Sequence, residues 1–334
     1  MNSDRLRALT LWAQAHEQDP QLQLQLISGD ASFRRYYRAQ GKIWVDAPPQ
    51  TEKNVEFVRN AAALHQARIP APEVYAVDLE QGFLSVSDLG DVSLLSRLDG
   101  SSVRHWYGQA IEQLLPAIAN MLLDVEPFDE AFMARENSIF PEWLVGHHLG
   151  LTLDGREQAL LDETFACLSQ NNLAQPQVVM HRDFHSRNLM VLADERLAVI
   201  DFQDMVRGPL TYDLVSLLKD CYVRWPLGVQ HELIAVGYHA YQQAGLLAGM
   251  SEAQFNRCLA LTGMQRHLKA AGIFCRLHHR DGKSGYLKDI PRTLYYVLEV
   301  AQAEPQLHSF AEWLQQRVLP HFPYQPASEA SACE

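Results

Sequence analysis

The side chains best suited to chemistry lie between residues 181 and 201, where HRDFHSRN at 181–188 is followed by LMVL, ADER, LAVI and then Asp201. Asp183 and Asp201 bring carboxylates and Asn188 an amide oxygen, so the three supply hard oxygen ligands and one proton acceptor. Magnesium takes ligands of this kind. His181 and His185 flank Asp183, and two imidazoles beside a carboxylate raise a zinc alternative. A plainer alternative has Asp183 capping its loop and Asn188 satisfying its own turn.

The elements around these residues decide whether they can meet. QVVM at 177–180 predicts a short strand running into the polar loop, and LMVL and LAVI predict a hairpin turning at ADER. That hairpin returns Asp201 to the neighbourhood of Asn188. Upstream, Leu6, Leu9, Trp12 and Ala13 recur at helical spacing, and the period then switches to the alternation QLQLQL at 21–26, which suits a strand. Strands are expected over Phe33–Ala39 and Lys42–Ala47, with Gln40 and Gly41 as the tight turn between them. The three strands form an antiparallel meander.

Pro48 and Pro49 close the meander, and a helix is expected over Glu52–Arg68, ended by Pro70 and Pro72. Val74–Asp78 and Gly82–Val86 read as fourth and fifth strands, and SDLGD at 87–91 as a hinge. The boundary is placed near residue 90, giving a sheet-bearing lobe over 1–90 and a helical lobe over 91–334. Most of Leu94–Asn172 reads as helix interrupted by NSIFPEW, with further helices near 230–247, 252–276, 290–303 and 307–318. The last residues, PASEASACE, are expected to fray.

Composition sets the outer limits. The chain has 334 residues, 47% of them hydrophobic and 20% charged, which suits two packed domains and excludes a disordered polymer. A net charge of -12 opposes binding to a nucleic-acid backbone. Asp4, Arg5 and Arg7 interrupt the first apolar stretch, and no later run approaches the ~18 apolar residues a membrane span needs, so neither an export signal nor a membrane partner is expected. Five cysteines without a CxxC pair favour a reducing, cytoplasmic setting.

HRDFHSRN and VIDFQD together resemble the catalytic loop and metal-binding segment of the protein-kinase-like superfamily, in its aminoglycoside-phosphotransferase and choline-kinase branch. SGDASFRRYYR resembles that branch's nucleotide-loop hairpin, IPAPEV its fourth-strand entry, FLSVSDLGD its hinge, and GPLTYDLVSLL the helix behind the catalytic loop. The resemblance implies an α+β, bilobal protein-kinase-like fold, with a small N-terminal antiparallel sheet lobe and a larger, mostly helical C-terminal lobe. It implies an enzyme using ATP and Mg2+, in which Asp183 receives or orients the acceptor hydroxyl's proton while Asn188 and Asp201 hold magnesium on the nucleotide phosphates. Phosphoryl transfer needs an in-line hydroxyl and charge neutralisation more than covalent help, and these residue types supply both. Asp213 falls among Leu210, Leu214 and Leu217, where an unpaired carboxylate would be costly, and is expected to bond amides of the catalytic loop.

One departure from the family pattern stands out. The third strand reads KIWVDAPP, with Asp46 at the expected lysine position, and Glu56 therefore lacks its assumed partner. Arg34, Arg35 or Arg38 on the neighbouring strand is expected to supply the missing cation. The nucleotide loop holds Gly29 alone, with Ser32 and nearby amides as phosphate contacts, while Ser87 and Asp88 mark the strand end expected to meet the adenine.

For the acceptor, NSIFPEWLVGHHLG offers Trp143 beside Glu142, and FCRLHHRDGKSGYLKD concentrates Arg276, His278, His279, Arg280 and Lys283. Aromatics beside polar groups suit a sugar ring and clustered cations suit a carboxylate, whereas a polycationic aminoglycoside would be repelled. GDASFRRYYR, DAPP, FPEW, IDFQDMVRGPLTYDLVSLLKDCY and GIFCRLHHRDGK further resemble the bacterial anomeric amino-sugar kinases of cell-wall recycling. That resemblance implies a small-molecule amino-sugar substrate, N-acetylmuramate or N-acetylglucosamine, phosphorylated at C1. Trp143, Arg276 and His279 are the candidate acceptor contacts. A kinase for another small alcohol, and a nucleotide-binding scaffold without turnover, are the competing readings.

Overall fold

A computed structural model describes residues 2–28 and 33–322. These divide into two compact units, one formed by the described residues within 1–97, 121–124 and 186–205, the other by those within 98–120, 125–185 and 206–322. The expected turn Gly29–Ser32 and the C-terminal PASEASACE lie outside the described residues.

The first unit begins with helix α1 (Asn2–Glu17) and continues through strands β1 (Gln25–Ser28), β2 (Arg35–Ala39) and β3 (Lys42–Asp46). Helix α2 (Asn54–Gln66) follows, then β4 (Val74–Asp78) and β5 (Phe83–Ser87). The five strands form one antiparallel sheet in the order β1-β2-β3-β5-β4. Gln40 and Gly41 both adopt left-handed φ values, 50° and 70°, the pair of conformations a two-residue hairpin turn requires. Gly82 (φ 74°) is needed at the β4–β5 turn for a second reason, since a Cβ there would lie 2.0 Å from the Ala47 carbonyl oxygen.

Alternation along the strands sorts their side chains onto two faces. Tyr37, Trp44 and Phe83 pack with Leu9, Ala13 and Leu22 on the α1 side. Asp46 belongs to the same face, where Arg5 of α1 donates to its carboxylate at 2.8 Å. The expected lysine position is thus turned toward α1. The opposite face of β3 presents Ile43 and Val45, and Val45 pairs with Tyr36.

The alternating QLQLQL does not form one strand. The ladder starts only at Gln25, because Leu22 is used to fill the α1 cluster and its carbonyl accepts from Gln14 at 3.1 Å. The unit is completed by the hairpin β7 (Leu189–Val191) and β8 (Leu197–Val199), which joins it through Val199 N–H to Pro70 and Val191 N–H to Val92. Phe57 of α2 stacks on Phe202 at 4.8 Å, and the Asn60 amide donates to the Phe202 carbonyl at 2.8 Å.

The second unit is mostly helical. It holds α3 (Val103–Gln109), a π-helical turn at Ala110–Leu114, α4 (Leu115–Ala119), α5 (Glu130–Asn137), a π-helical segment at Phe140–His148 and α6 (Gly155–Leu173). After the strand β6 (Gln177–Met180) and its partner β9 (Val206–Pro209) come α7 (Tyr212–Leu218), α8 (Leu227–Gln243), α9 (Glu252–Asp281), α10 (Ile290–Ala303) and α11 (His308–Trp313). Strand β9 was not expected from VRGP. It forms because Pro209 sits at the ribbon's end, where its missing N–H is not required.

Helix α9 organises this core. A Ser251–Gln254 capping box starts it and Gly282 (φ 69°) ends it, and between them Leu261, Met264, Leu268 and Ala271 pack with Phe140, Leu144 and Val145 of the π-helical segment. Gly272 makes the closest approach, since a Cβ there would stand 2.5 Å from the Ile139 carbonyl oxygen. No helix among the described residues is long and apolar enough to cross a membrane.

Candidate active site

The chain passes from one unit to the other between His185 and Ser186, so Asp183 belongs to the helical unit while Asn188 and Asp201 belong to the sheet-bearing one. Each group has its own surroundings.

In the helical unit, β6 ends at Met180 and the loop turns sharply, with Arg182 in the left-handed region at φ 74°. A non-glycine residue holds that conformation only when its neighbours over-determine it. Asp213, near the start of α7, is the first restraint: its carboxylate accepts the His181 N–H at 2.6 Å and the Arg182 N–H at 2.9 Å. The expectation for Asp213 therefore holds. The Arg182 guanidinium donates to Glu136 at 2.6 Å and lies over the Phe132 ring at 5.0 Å. Lys269 of α9 donates to the same Glu136 oxygen at 2.8 Å and to the Tyr212 hydroxyl at 3.3 Å.

These cations govern the neighbouring carboxyl. Burial alone would raise Asp183, but Lys269, Arg182, His185 and Arg266 outweigh it and hold the group at about 2. Asp183 is therefore an ionised acceptor throughout the neutral range. The ring of His181 stands edge-on to Phe184 and that of His185 to Tyr222. Among the described residues no three His, Cys, Asp or Glu side chains gather in a metal-holding group.

The two segments nominated for the acceptor meet in this unit. Trp143 is half-buried and stacks on His147 at 4.7 Å. His148 Nδ1 lies 3.1 Å from His279 Nε2, and Glu142 is among the charges acting on the half-buried Arg276.

In the sheet-bearing unit, the Asn188 amide reaches Asp201 at 3.4 Å, and Gln203 donates to the other Asp201 oxygen at 2.8 Å. Asp201 also takes a left-handed backbone, φ 65°. An amide and a carboxylate side by side fit magnesium, which needs one or two protein ligands and completes its octahedron with phosphate and water oxygens.

Three candidate arginines have three different settings. Arg34 is 2% exposed, pairs with Glu52 at 3.1 Å and lies over the Phe57 ring at 5.0 Å. Arg34, Glu52 and Asp201 all act on the Tyr36 hydroxyl, which burial raises above its ordinary value, so the four side chains share one neighbourhood. Arg38 is instead held by Asp88 at 2.6 Å and Asp91 at 2.7 Å. Arg35 sits opposite Asp46, on the α1 face by alternation. Ser87 N–H donates to the Glu73 carbonyl and its hydroxyl accepts the Glu73 N–H, both at 2.9 Å, which fastens β5 to the segment before β4. Ser32 lies outside the described residues.

Residues 23–254 match the Phosphotransferase enzyme family, which is more than half of the chain. The protein belongs to that family. It is 38% identical over 324 residues to the N-acetylmuramate/N-acetylglucosamine kinase of Pseudomonas putida, covering 92% of this chain and 95% of that one. The enzyme of the same name from Pseudomonas aeruginosa is 39% identical over 300 residues, covering 88% of each chain. Among solved structures, choline kinase LicA from Streptococcus pneumoniae superposes with a TM-score of 0.63 at 12% identity, over 91% of this chain and 98% of that one. The ADP-bound aminoglycoside phosphotransferase APH(2'')-Ib gives a TM-score of 0.56 at 12% identity, over 87% and 98% of the two chains. The kinase-like fold is shared with both.

Within this phosphotransferase, several charged residues that neighbour the candidate side chains are not singled out by the sequence. Glu52 rather than Glu56 is the carboxylate that meets an arginine, and Lys53 pairs with Asp204 at 2.7 Å, three positions after Asp201. Glu136, Arg266 and Lys269 are all buried. Arg266 and Lys269 share a buried face of α9 with Thr262 and Gln265, where charge needs a partner.

Proposed function

We propose that this phosphotransferase moves the γ-phosphoryl group of ATP onto the anomeric C1 hydroxyl of N-acetylmuramate or N-acetylglucosamine. The observation that carries the reading is 38% identity, spread over nearly the full length of both chains, to a kinase named for those two sugars. Asp183, Asn188 and Asp201 support it, because the residue types that phosphoryl transfer requires are all present.

In this reading the C1 oxygen forms the new bond to the γ-phosphorus as the bridging bond to ADP breaks. The hydroxyl proton passes to Asp183. A carboxylate held at about 2 is a weak base, so it orients the hydroxyl first and takes the proton late, once bond formation has made that proton acidic. Asn188 and Asp201 would hold magnesium, which when bound offsets charge on the nucleotide phosphates. Arg34, backed by Glu52 and donating to the Lys53 carbonyl at 3.4 Å, is the cation assigned to the phosphates in place of the third-strand lysine, and Ser32 is assigned as a further phosphate contact. Ser87 and Asp88 mark the adenine edge. Trp143 stacks on the sugar, and Arg276 and His279 face its lactyl carboxylate or N-acetyl group.

The reaction is placed in the cytoplasm, in keeping with the free thiols of Cys167, Cys221, Cys258 and Cys275. The test is turnover of ATP with magnesium against N-acetylmuramate, N-acetylglucosamine, choline and an aminoglycoside. Turnover with the two sugars supports the reading. Turnover confined to choline or the aminoglycoside overturns the acceptor, and nucleotide binding without turnover on any of them overturns the enzyme.

A further inference from the structure

We propose that Glu136 and Lys269 are positioning residues, which clamp Arg182 in its left-handed conformation and thereby fix the direction in which Asp183 presents its carboxylate. The proposal rests on the reading of Asp183 as the group that orients the acceptor hydroxyl. The geometry is specific. Arg182 pays a conformational cost that one backbone bond to Asp213 opposes, and its guanidinium adds the bond to Glu136 at 2.6 Å and the contact with Phe132 at 5.0 Å.

Glu136 is in turn held from behind. Lys269 donates to the oxygen that Arg182 uses, at 2.8 Å, and also to the hydroxyl of Tyr212, the residue next to Asp213. One buried network therefore ties α5, α7 and α9 to the residue preceding Asp183. Two cations share one Glu136 oxygen, while its other oxygen is buried and has no hydrogen-bond partner among the described residues. A buried ion triad gains little stability over apolar side chains of similar size, so its value here lies in direction and charge. The same cations act on Asp183, where Lys269 and Arg182, with His185 and Arg266, keep the carboxyl ionised against burial.

The test uses the full chain with ATP, magnesium and N-acetylglucosamine, comparing Lys269→Met and Lys269→Arg in the native background and in Asp183→Asn. Lys269→Met is expected to lower kcat roughly 100-fold, as misplacing a reacting group does, with KM for ATP changed by less than about twofold. Lys269→Arg should restore most of the rate. In the Asp183→Asn background, Lys269→Met should have no further effect, because nothing remains to be oriented. A kcat untouched by Lys269→Met, or an equal loss in both backgrounds, overturns the proposal. If Lys269→Met does not fold, the nearly isosteric Glu136→Gln carries the same comparison. If Asp183→Asn alone turns over at the native rate, the role of Asp183 falls and the proposal with it; if Asp183→Asn is inactive and Lys269→Met is not impaired, only the proposal falls.

Discussion

Arg34→Met removes the charge of a guanidinium that is 2% exposed while leaving an apolar chain over Phe57. The partner left behind, Glu52, is already raised by burial, against which Arg34 and the Phe33 N–H pull it down. Breaking a buried pair from one side costs about 3–5 kcal/mol, because the surviving charge has no counter-ion. Glu52 can escape part of that cost by taking a proton. Its folded pKa then stands further above the unfolded value, so the stability it retains is present at low pH and is lost as pH rises through the folded pKa. The slope is at most about 1.4 kcal/mol per pH unit. The deficit of Arg34→Met relative to the native protein should therefore widen between about pH 5 and about pH 8, as read by urea unfolding at both. Arg34→Met/Glu52→Gln should recover most of the loss, since no uncompensated charge remains. Both variants should bind ATP roughly tenfold more weakly, the loss expected for one charge-assisted phosphate contact. A deficit independent of pH, or a double variant no more stable than the single one, refutes the electrostatic reasoning, and unchanged ATP affinity refutes the assignment of Arg34 to the phosphates.

Asp183→Asn should lower kcat roughly 100-fold to 10,000-fold while the chain still unfolds in one cooperative transition, at a lower midpoint because the cations around residue 183 lose their counter-charge, which steady-state kinetics and calorimetry check together. Arg276→Met should raise KM for N-acetylmuramate about tenfold more than KM for N-acetylglucosamine, because only the former carries a carboxylate; equal changes would remove Arg276 from that role. Gly272→Ala should destabilise the helical unit by about 1–3 kcal/mol in denaturant titrations, since the added Cβ would meet the backbone of Ile139 at 2.5 Å and backbone cannot give way.

Local signals were legible where each residue had one task. Gln40 and Gly41 announce a two-residue turn, and the strand read over Lys42–Ala47 and the helix read over 252–276 both reach the structure, as Lys42–Asp46 and Glu252–Asp281. Reasoning failed where tertiary packing reassigned residues. Leu22 belongs to a perfect alternation yet serves the α1 cluster, and VRGP has the composition of a turn yet pairs with β6. Asp46 falls at the lysine position by number, but in the sheet it meets Arg5 of α1, a partner that no one-dimensional pattern reveals. The partners of Arg182 were hidden for the same reason. Glu136 and Lys269 are far apart in the chain and meet only because α5 and α9 pack together.

The most direct measurement is phosphorus NMR of the product formed from ATP and N-acetylmuramate. The expected product is a phosphate ester whose phosphorus couples to the anomeric proton, formed by the native protein and accumulating at least about 100-fold more slowly with Asp183→Asn. An ester on any other carbon, or equal product from the Asp183 variant, would contradict it.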